Sequence, residues 1–201
     1  MRKVLVVIVG LMVASVAIAA DVSPDEFITD AVDSLAEQMD GRRDELRDDT
    51  VALYTMIDDF LLPRFDRRTA AQQVLAKHWR GADEDQRARF IEAFYTTLVQ
   101  RYADGILEFE HDQIKVLPFR GDATKRRVMV KTRVELEDGT NVAVNYTLIN
   151  KPDGWQMFDV TIEGVSYVRN FRAEFDSEIN RTSLDAVIAR LEAEVAANVG
   201  E

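Results

Sequence analysis

Two apolar periods run through this chain, and residues 155–172 contain both. Phe158, Val160 and Ile162 alternate with Met157, Asp159 and Thr161, the spacing of a strand with one face buried. Past Gly164, Val165, Val168 and Phe171, with Phe175 a turn later, fall at i, i+3, i+6 and i+10, which places them along one helix face. One glycine is therefore expected to join the last sheet strand to a helix with almost no loop. A ligand held between sheet and helices would lie close to that junction.

Upstream, the pattern is first helical and then extended. Ser23 reads as an N-cap with Pro24 at the first helical position, followed by a stripe of Phe27, Ile28, Ala31 and Leu35 that Gly41 ends. A charged turn, Arg42 to Asp49, leads to a second helix carrying Val51, Leu53, Tyr54, Ile57, Phe60 and Leu61, stopped by Pro63. A third covers about Asp66 to Trp79, with Val74, Leu75 and Trp79 inward. The longest helix starts at Asp83, with Gln86 three residues on in the manner of a capping box. Along it Phe90, Phe94, Leu98, Tyr102 and Ile106 recur every four residues, a wide aromatic face suited to packing on a sheet.

After Glu110 the period shortens to two. Strands are expected at Gln113–Phe119, Arg126–Glu137, Asn141–Asn150 and Gly154–Glu163, separated by well-marked turns at 121–122, 137–139 and 151–154. Turns this short favour an antiparallel meander. The tail returns to helix, the last one capped by Ser183 and carrying Leu184, Val187, Ile188 and Leu191. Helices, then strands, then helices predict an α+β fold: a curved antiparallel sheet of four or more strands packed against several helices. No repeat or linker divides it.

Residues 1–19 stand outside this scheme. Met1-Arg2-Lys3 is a basic n-region, Val4 to about Ile18 is uncharged and apolar, and Ala17-Ile18-Ala19 supplies small residues. This reads as a signal peptide cleaved after residue 19 or 20, the apolar run being shorter than the roughly 20 residues of a spanning helix. An exported, soluble single domain from residue 20 to 201 is expected, about 180 residues long. Without Arg2 and Lys3, 23 basic side chains face 36 acidic ones, a net charge of −13. Such a balance argues against nucleic acid and against electrostatic adhesion to anionic membranes. There is no cysteine, hence no disulfide or thiol chemistry.

Candidates for catalysis are sparse. His78 and His111 lie in separate elements, and neither sits in a metal-ligand motif. Asp48-Asp49 and Asp58-Asp59 are sequence neighbours that point apart on a helix. Gly164-Val165-Ser166 is not a G-x-S-x-G elbow. Asp159, between Phe158 and Val160, is the one acid to weigh. A carboxylate in an apolar cavity can serve as a base, as in an isomerase- or hydratase-like enzyme. Against that stands a structural acid bonding a backbone N–H or an arginine such as Arg169 or Arg172. The abundance of apolar interior residues fits a carrier of aliphatic chains, since burial holds a lipid without directed bonds. A pocket and a filled core have the same composition, so a non-catalytic adaptor with a solid core also stays open.

Several segments together resemble the MlaC, or toluene-tolerance, family of periplasmic phospholipid carriers. They are Asp58-Asp59-Phe60-Leu61-Leu62-Pro63; Val74-Leu75 through Trp79; Asp83-Glu84-Asp85-Gln86-Arg87-Ala88-Arg89-Phe90; and Phe94-Tyr95 with Leu98 and Arg101-Tyr102. The resemblance is strongest from Trp155 through Asp159-Val160 and Ile162-Glu163-Gly164-Val165-Ser166 to Asn170-Phe171-Arg172 and Phe175, and it extends to Leu184-Asp185-Ala186-Val187-Ile188. It covers nearly all of the chain after the signal peptide, except the charged turn.

The resemblance implies an NTF2-like or cystatin-like sheet core and a monomeric, non-enzymatic shuttle with no cofactor or metal. Its cargo would be phospholipid, taken with its acyl chains between sheet and helices. Its partners would be an inner-membrane ABC transporter complex bearing an MCE domain and an outer-membrane lipoprotein–porin complex, in the service of outer-membrane lipid asymmetry. Tyr102, Val142 and Val165 match pocket residues of the family. Face geometry adds Phe94, Leu98, Ile106, Val144 and Tyr146 as lipid-binding candidates.

Overall fold

The structure, a computed structural model, describes residues 22–108, 111–136 and 138–198. The expected signal peptide and its cleavage site lie outside the described residues. The helices are α1 (Pro24–Met39), α2 (Arg43–Asp48), α3 (Thr50–Leu61), α4 (Arg67–Leu75) and α5 (Glu84–Leu107), then α6 (Tyr167–Arg181) and α7 (Leu184–Asn198). Between α5 and α6 run the strands β1 (Ile114–Val116), β2 (Arg127–Glu135), β3 (Asn141–Lys151), β4 (Gly154–Ile162) and β5 (Val165–Ser166).

The helix starts follow their capping chemistry. Ser23 and Asp83 each accept the N–H of the third helical residue, while Glu26 and Gln86 return the bond to the cap. The charged turn is a short helix instead. Its one inward residue, Leu46, is fully buried, and a single contact leaves no period to read. The third helix ends earlier than expected, at Leu75. Ala76 has φ +47°, and a 3-10 turn, Ala76–Arg80, carries Trp79 into the core.

The sheet is an antiparallel meander in the order β1-β2-β3-β4-β5. On β2 the alternation is complete: Val128, Val130, Thr132 and Val134 are buried, and the residues between them are exposed. The fold is α+β as expected, with one strand in a stretch read as helix. Glu163 and Gly164 have φ +47° and +81°, as a two-residue hairpin turn with both centres left-handed requires. The chain therefore folds back, pairing Ile162 with Val165 and Thr161 with Ser166 before α6 begins. Val165 is thus a strand residue and not part of the helix face, which Val168, Phe171 and Phe175 form. The strain at Glu163 is offset by two bonds to Ala143: Glu163 N–H donates to its carbonyl at 2.9 Å, and the Glu163 carboxylate accepts from its N–H at 2.5 Å.

A bulge lies between β3 and β4. Thr147 faces Asp159, but Leu148 faces Met157, which leaves Phe158 as the extra residue. Beyond the short β5, the edge of β4 is taken by the loop after α3. Met157 N–H donates to Arg64 O at 2.8 Å, and Asp66 N–H to Met157 O at 2.7 Å.

The interior divides. One core joins α4 to α7 around the rings of Phe90, Phe94, Phe171 and Phe175, with centroid separations of 5.3 to 6.0 Å, and around Val187, Ile188 and Leu191. A second joins α2, α3 and α5 through Leu46, Ile57, Tyr95 and Val99. A third packs Ile28 of α1 on Val128, Val130, Leu148 and Met157 of the sheet. Between these cores the packing is incomplete.

Candidate functional site

The space left between helices and sheet is a cavity of about 470 Å3. The sheet supplies Val144, Tyr146, Met157, Val160 and Ile162 to its wall. Opposite stand Phe94, Leu98, Tyr102 and Ile106 of α5, at the four-residue spacing of one helix face. Ile28, Ala31, Val32 and Leu35 of α1 and Ile57, Phe60 and Leu61 of α3 close one side, and Tyr167, Val168 and Phe171 of α6 another. Among the described residues no Lys, Arg or His lines the space, and Asp159 is its only acid.

Asp159 is fully engaged. One carboxylate oxygen accepts from Ser166 Oγ at 2.6 Å, and the other from Val168 N–H at 3.0 Å. Ser166 Oγ in turn caps Arg169 N–H at 3.1 Å. These bonds tie the last long strand to the first turn of α6 and give each Asp159 oxygen a structural partner. The backbone partner is the expected one. The arginine is not: Arg172 donates instead to Gln73 O at 2.7 Å.

The other polar groups in the wall are phenols. Tyr95 donates to Asp58 at 2.7 Å, and its titration lies above the ordinary tyrosine value, through burial first and then the Asp58 bond and charge. Burial alone pushes Tyr146 up to about 12, and its hydroxyl bonds no described residue. Tyr102, 39% exposed, marks the rim, its ring edge-on to Tyr167 at 5.6 Å. Burial, and then Tyr167, raises its titration too.

Six of the eight candidate residues, Phe94, Leu98, Tyr102, Ile106, Val144 and Tyr146, line this cavity. Val142 and Val165 do not. Val142 is half-buried at the start of β3, opposite Val134, and Val165 is 58% exposed, opposite the lining residue Ile162. The α1 residues were missed because their stripe has the spacing of ordinary core packing. Nothing in that spacing separates contact with a void from contact with a neighbour.

His78 lies outside the cavity, bonded to Asp176 at 2.7 Å beside Lys77. Among the described residues no three His, Asp or Glu side chains gather as metal ligands, and no helix is long and apolar enough to cross a membrane.

Residues 29–193 match the family model described as MlaC protein. The chain is 26% identical over 164 residues to the toluene tolerance protein ttg2D of Pseudomonas putida, covering 81% of this chain and 76% of that one. It is 21% identical over 189 residues to the intermembrane phospholipid transport system binding protein MlaC of Haemophilus influenzae, covering 92% and 88%. The fold matches that of a phospholipid-binding protein from Ralstonia solanacearum solved with a phospholipid, with a TM-score of 0.79, 23% identity, and 90% and 99% of the two chains covered.

Proposed function

This chain belongs to the MlaC family, and from that premise we propose that it carries phospholipid through the periplasm with the acyl portion in the cavity described above. The observation that carries the reading is the wall itself: an apolar space whose one acid among the described residues is spent on helix capping. A methylene takes about the room of a water in the liquid, ~30 Å3, so 470 Å3 receives about one long acyl chain. Burial is worth about 0.8 kcal/mol per methylene, a gross gain of order 10 kcal/mol before the cost of immobilising the chain. The cavity thus binds by area and needs no directed bond to the tail.

The enzyme reading loses its base with Asp159, and the chain acts as a carrier without catalysis. Tyr102 and Tyr167 form the rim, and Val142 and Val165 continue the Val144 and Ile162 surface toward the sheet end as a lip. The donor and acceptor of the lipid are an inner-membrane MCE-domain transporter complex and an outer-membrane lipoprotein–porin complex. Native mass spectrometry of the protein as isolated tests the reading. A phospholipid bound one to one is expected, and protein that never carries lipid, even after incubation with phospholipid vesicles, would refute it.

A further inference from the structure

The acidic surplus of this chain is unevenly spread. Residues 115–133 hold seven of its 25 basic side chains and one acid, Asp122. The seven are Lys115, Arg120, Lys125, Arg126, Arg127, Lys131 and Arg133, all exposed. Among the described residues none of them forms an ion pair, in a chain with acids to spare. Asp122 is exposed beside Lys125 and accepts from the N–H and hydroxyl of Thr124 at 2.9 and 2.6 Å.

The register concentrates this charge. Lys115 of β1 is the direct cross-strand partner of Arg133 on β2, a like-charge pairing that costs stability unless something neutralises it. Arg127, Lys131 and Arg133 stand on the outer face of β2, alternating with the buried Val128, Val130, Thr132 and Val134. The patch therefore looks away from the lipid cavity, which lies on the inner face.

The surface there is concave. A groove of about 540 Å3 runs between the β1–β2 connection and β2. Its basic wall is Arg120, Lys125, Arg127 and Lys131, and its apolar floor is Leu117, Pro118, Phe119 and Met129. The connection is held in place. Leu117 N–H donates to Lys131 O at 2.9 Å, and Phe119 N–H to the Asp25 carboxylate of α1 at 3.0 Å. The Phe119 ring covers Gly121 so closely that a Cβ there would lie 2.5 Å from it.

We propose that this groove on the outer face of β1 and β2 docks an acidic protein segment that also carries apolar side chains. Four cations against one acid, Asp122, around an apolar floor call for that mixture, and charge complementarity sets approach and register. A flat lipid headgroup plane reaches the rim of a groove but not its floor, and the −11 charge of the chain opposes an anionic bilayer. The docking does not depend on the lipid reading, because the groove and the lipid cavity share no lining residue.

The test is fluorescence anisotropy of a fluorescein-labelled Glu-Glu-Leu repeat peptide with the full chain, at low salt and at about 0.15 M. Binding is expected, weakening about tenfold with the added salt. Combined Arg120→Gln, Lys125→Gln and Lys131→Gln, three of the groove's wall residues, should abolish it while native mass spectrometry shows unchanged bound lipid. A control triple, Arg42→Gln, Arg47→Gln and Arg181→Gln, removes the same charge elsewhere and should bind like the parent. Absence of binding, equal loss in the control, or an unaffected patch triple each overturns the proposal. Patch-dependent binding to phosphatidylglycerol vesicles in place of the peptide overturns it in favour of a bilayer.

Discussion

Ser166 Oγ lies 2.6 Å from Asp159 Oδ2, and this one contact locks the final hairpin of the sheet to the start of α6. The serine donates to the carboxylate and accepts from Arg169 N–H, so strand, turn and helix share a single polar node. Asp159→Ala is expected to destabilise the fold by about 1–3 kcal/mol, because it leaves the Val168 N–H unpaired and the cap unsupported. Ser166→Ala should cost about 1 kcal/mol. The two should be non-additive in a double-mutant cycle followed by urea denaturation. Asp159→Asn should retain bound lipid, whereas a catalytic acid would show itself in turnover lost with the same change.

Charge placed in the cavity wall separates lining from lip. Val144→Glu should abolish lipid co-purification, since desolvating a carboxylate beside an acyl chain costs several kcal/mol. Val165→Glu is expected to leave bound lipid in place, because this side chain is 58% exposed and lies off the wall. It should instead slow transfer between vesicles and protein. Native mass spectrometry reads the first effect and a fluorescent-lipid transfer assay the second.

Tyr146 links the cavity to alkaline pH. Its phenol ionises near 12 when folded, against about 10 unfolded, so its contribution to stability is complete below 10 and is lost as pH rises from there through 12. Tyr146→Phe should flatten that part of the stability profile and keep lipid bound. Thermal melts across this range, with tyrosinate absorbance as the second signal, check it.

Asp66 governs the acid side. Burial by itself would raise its pKa, but Lys151 Nζ at 2.6 Å and the bonds from Thr69 outweigh this and bring it below the ordinary aspartate value. A depressed carboxylate contributes stability above its unfolded pKa, about 3.9, which disappears as pH falls through the lower folded value. Asp66→Asn should therefore lower stability at neutral pH, by about 1–3 kcal/mol, and by progressively less toward pH 2. Denaturant titrations at several pH values give the comparison.

Much of the fold was legible because its signals are local. Capping boxes, the four-residue rhythm of α5 and the alternation on β2 each depend on neighbours in the chain. What escaped was what period cannot express. A two-residue strand such as Val165–Ser166 has no repeat, and the bulged Phe158 shifts the parity of β4, so Met157 joins Val160 and Ile162 in the cavity wall. Of the site, the α5 and β3 walls followed from face geometry. The α1 wall did not, because an apolar stripe reads the same against a void as against a packed neighbour.

The bonds between Met157 and the 64–66 loop bear on why that void exists at all. Apolar walls facing each other across an empty gap gain by closing, and only something stiff between them prevents it. On one side the stop is main chain: the loop after α3 is hydrogen-bonded to the open edge of β4, so the α3–α4 corner stands off from the sheet at a distance set by peptide geometry. At that corner the gap width does not rest on the side chains that face it. Mutation can retune the lining for a different tail while the spacing at that corner is inherited unchanged.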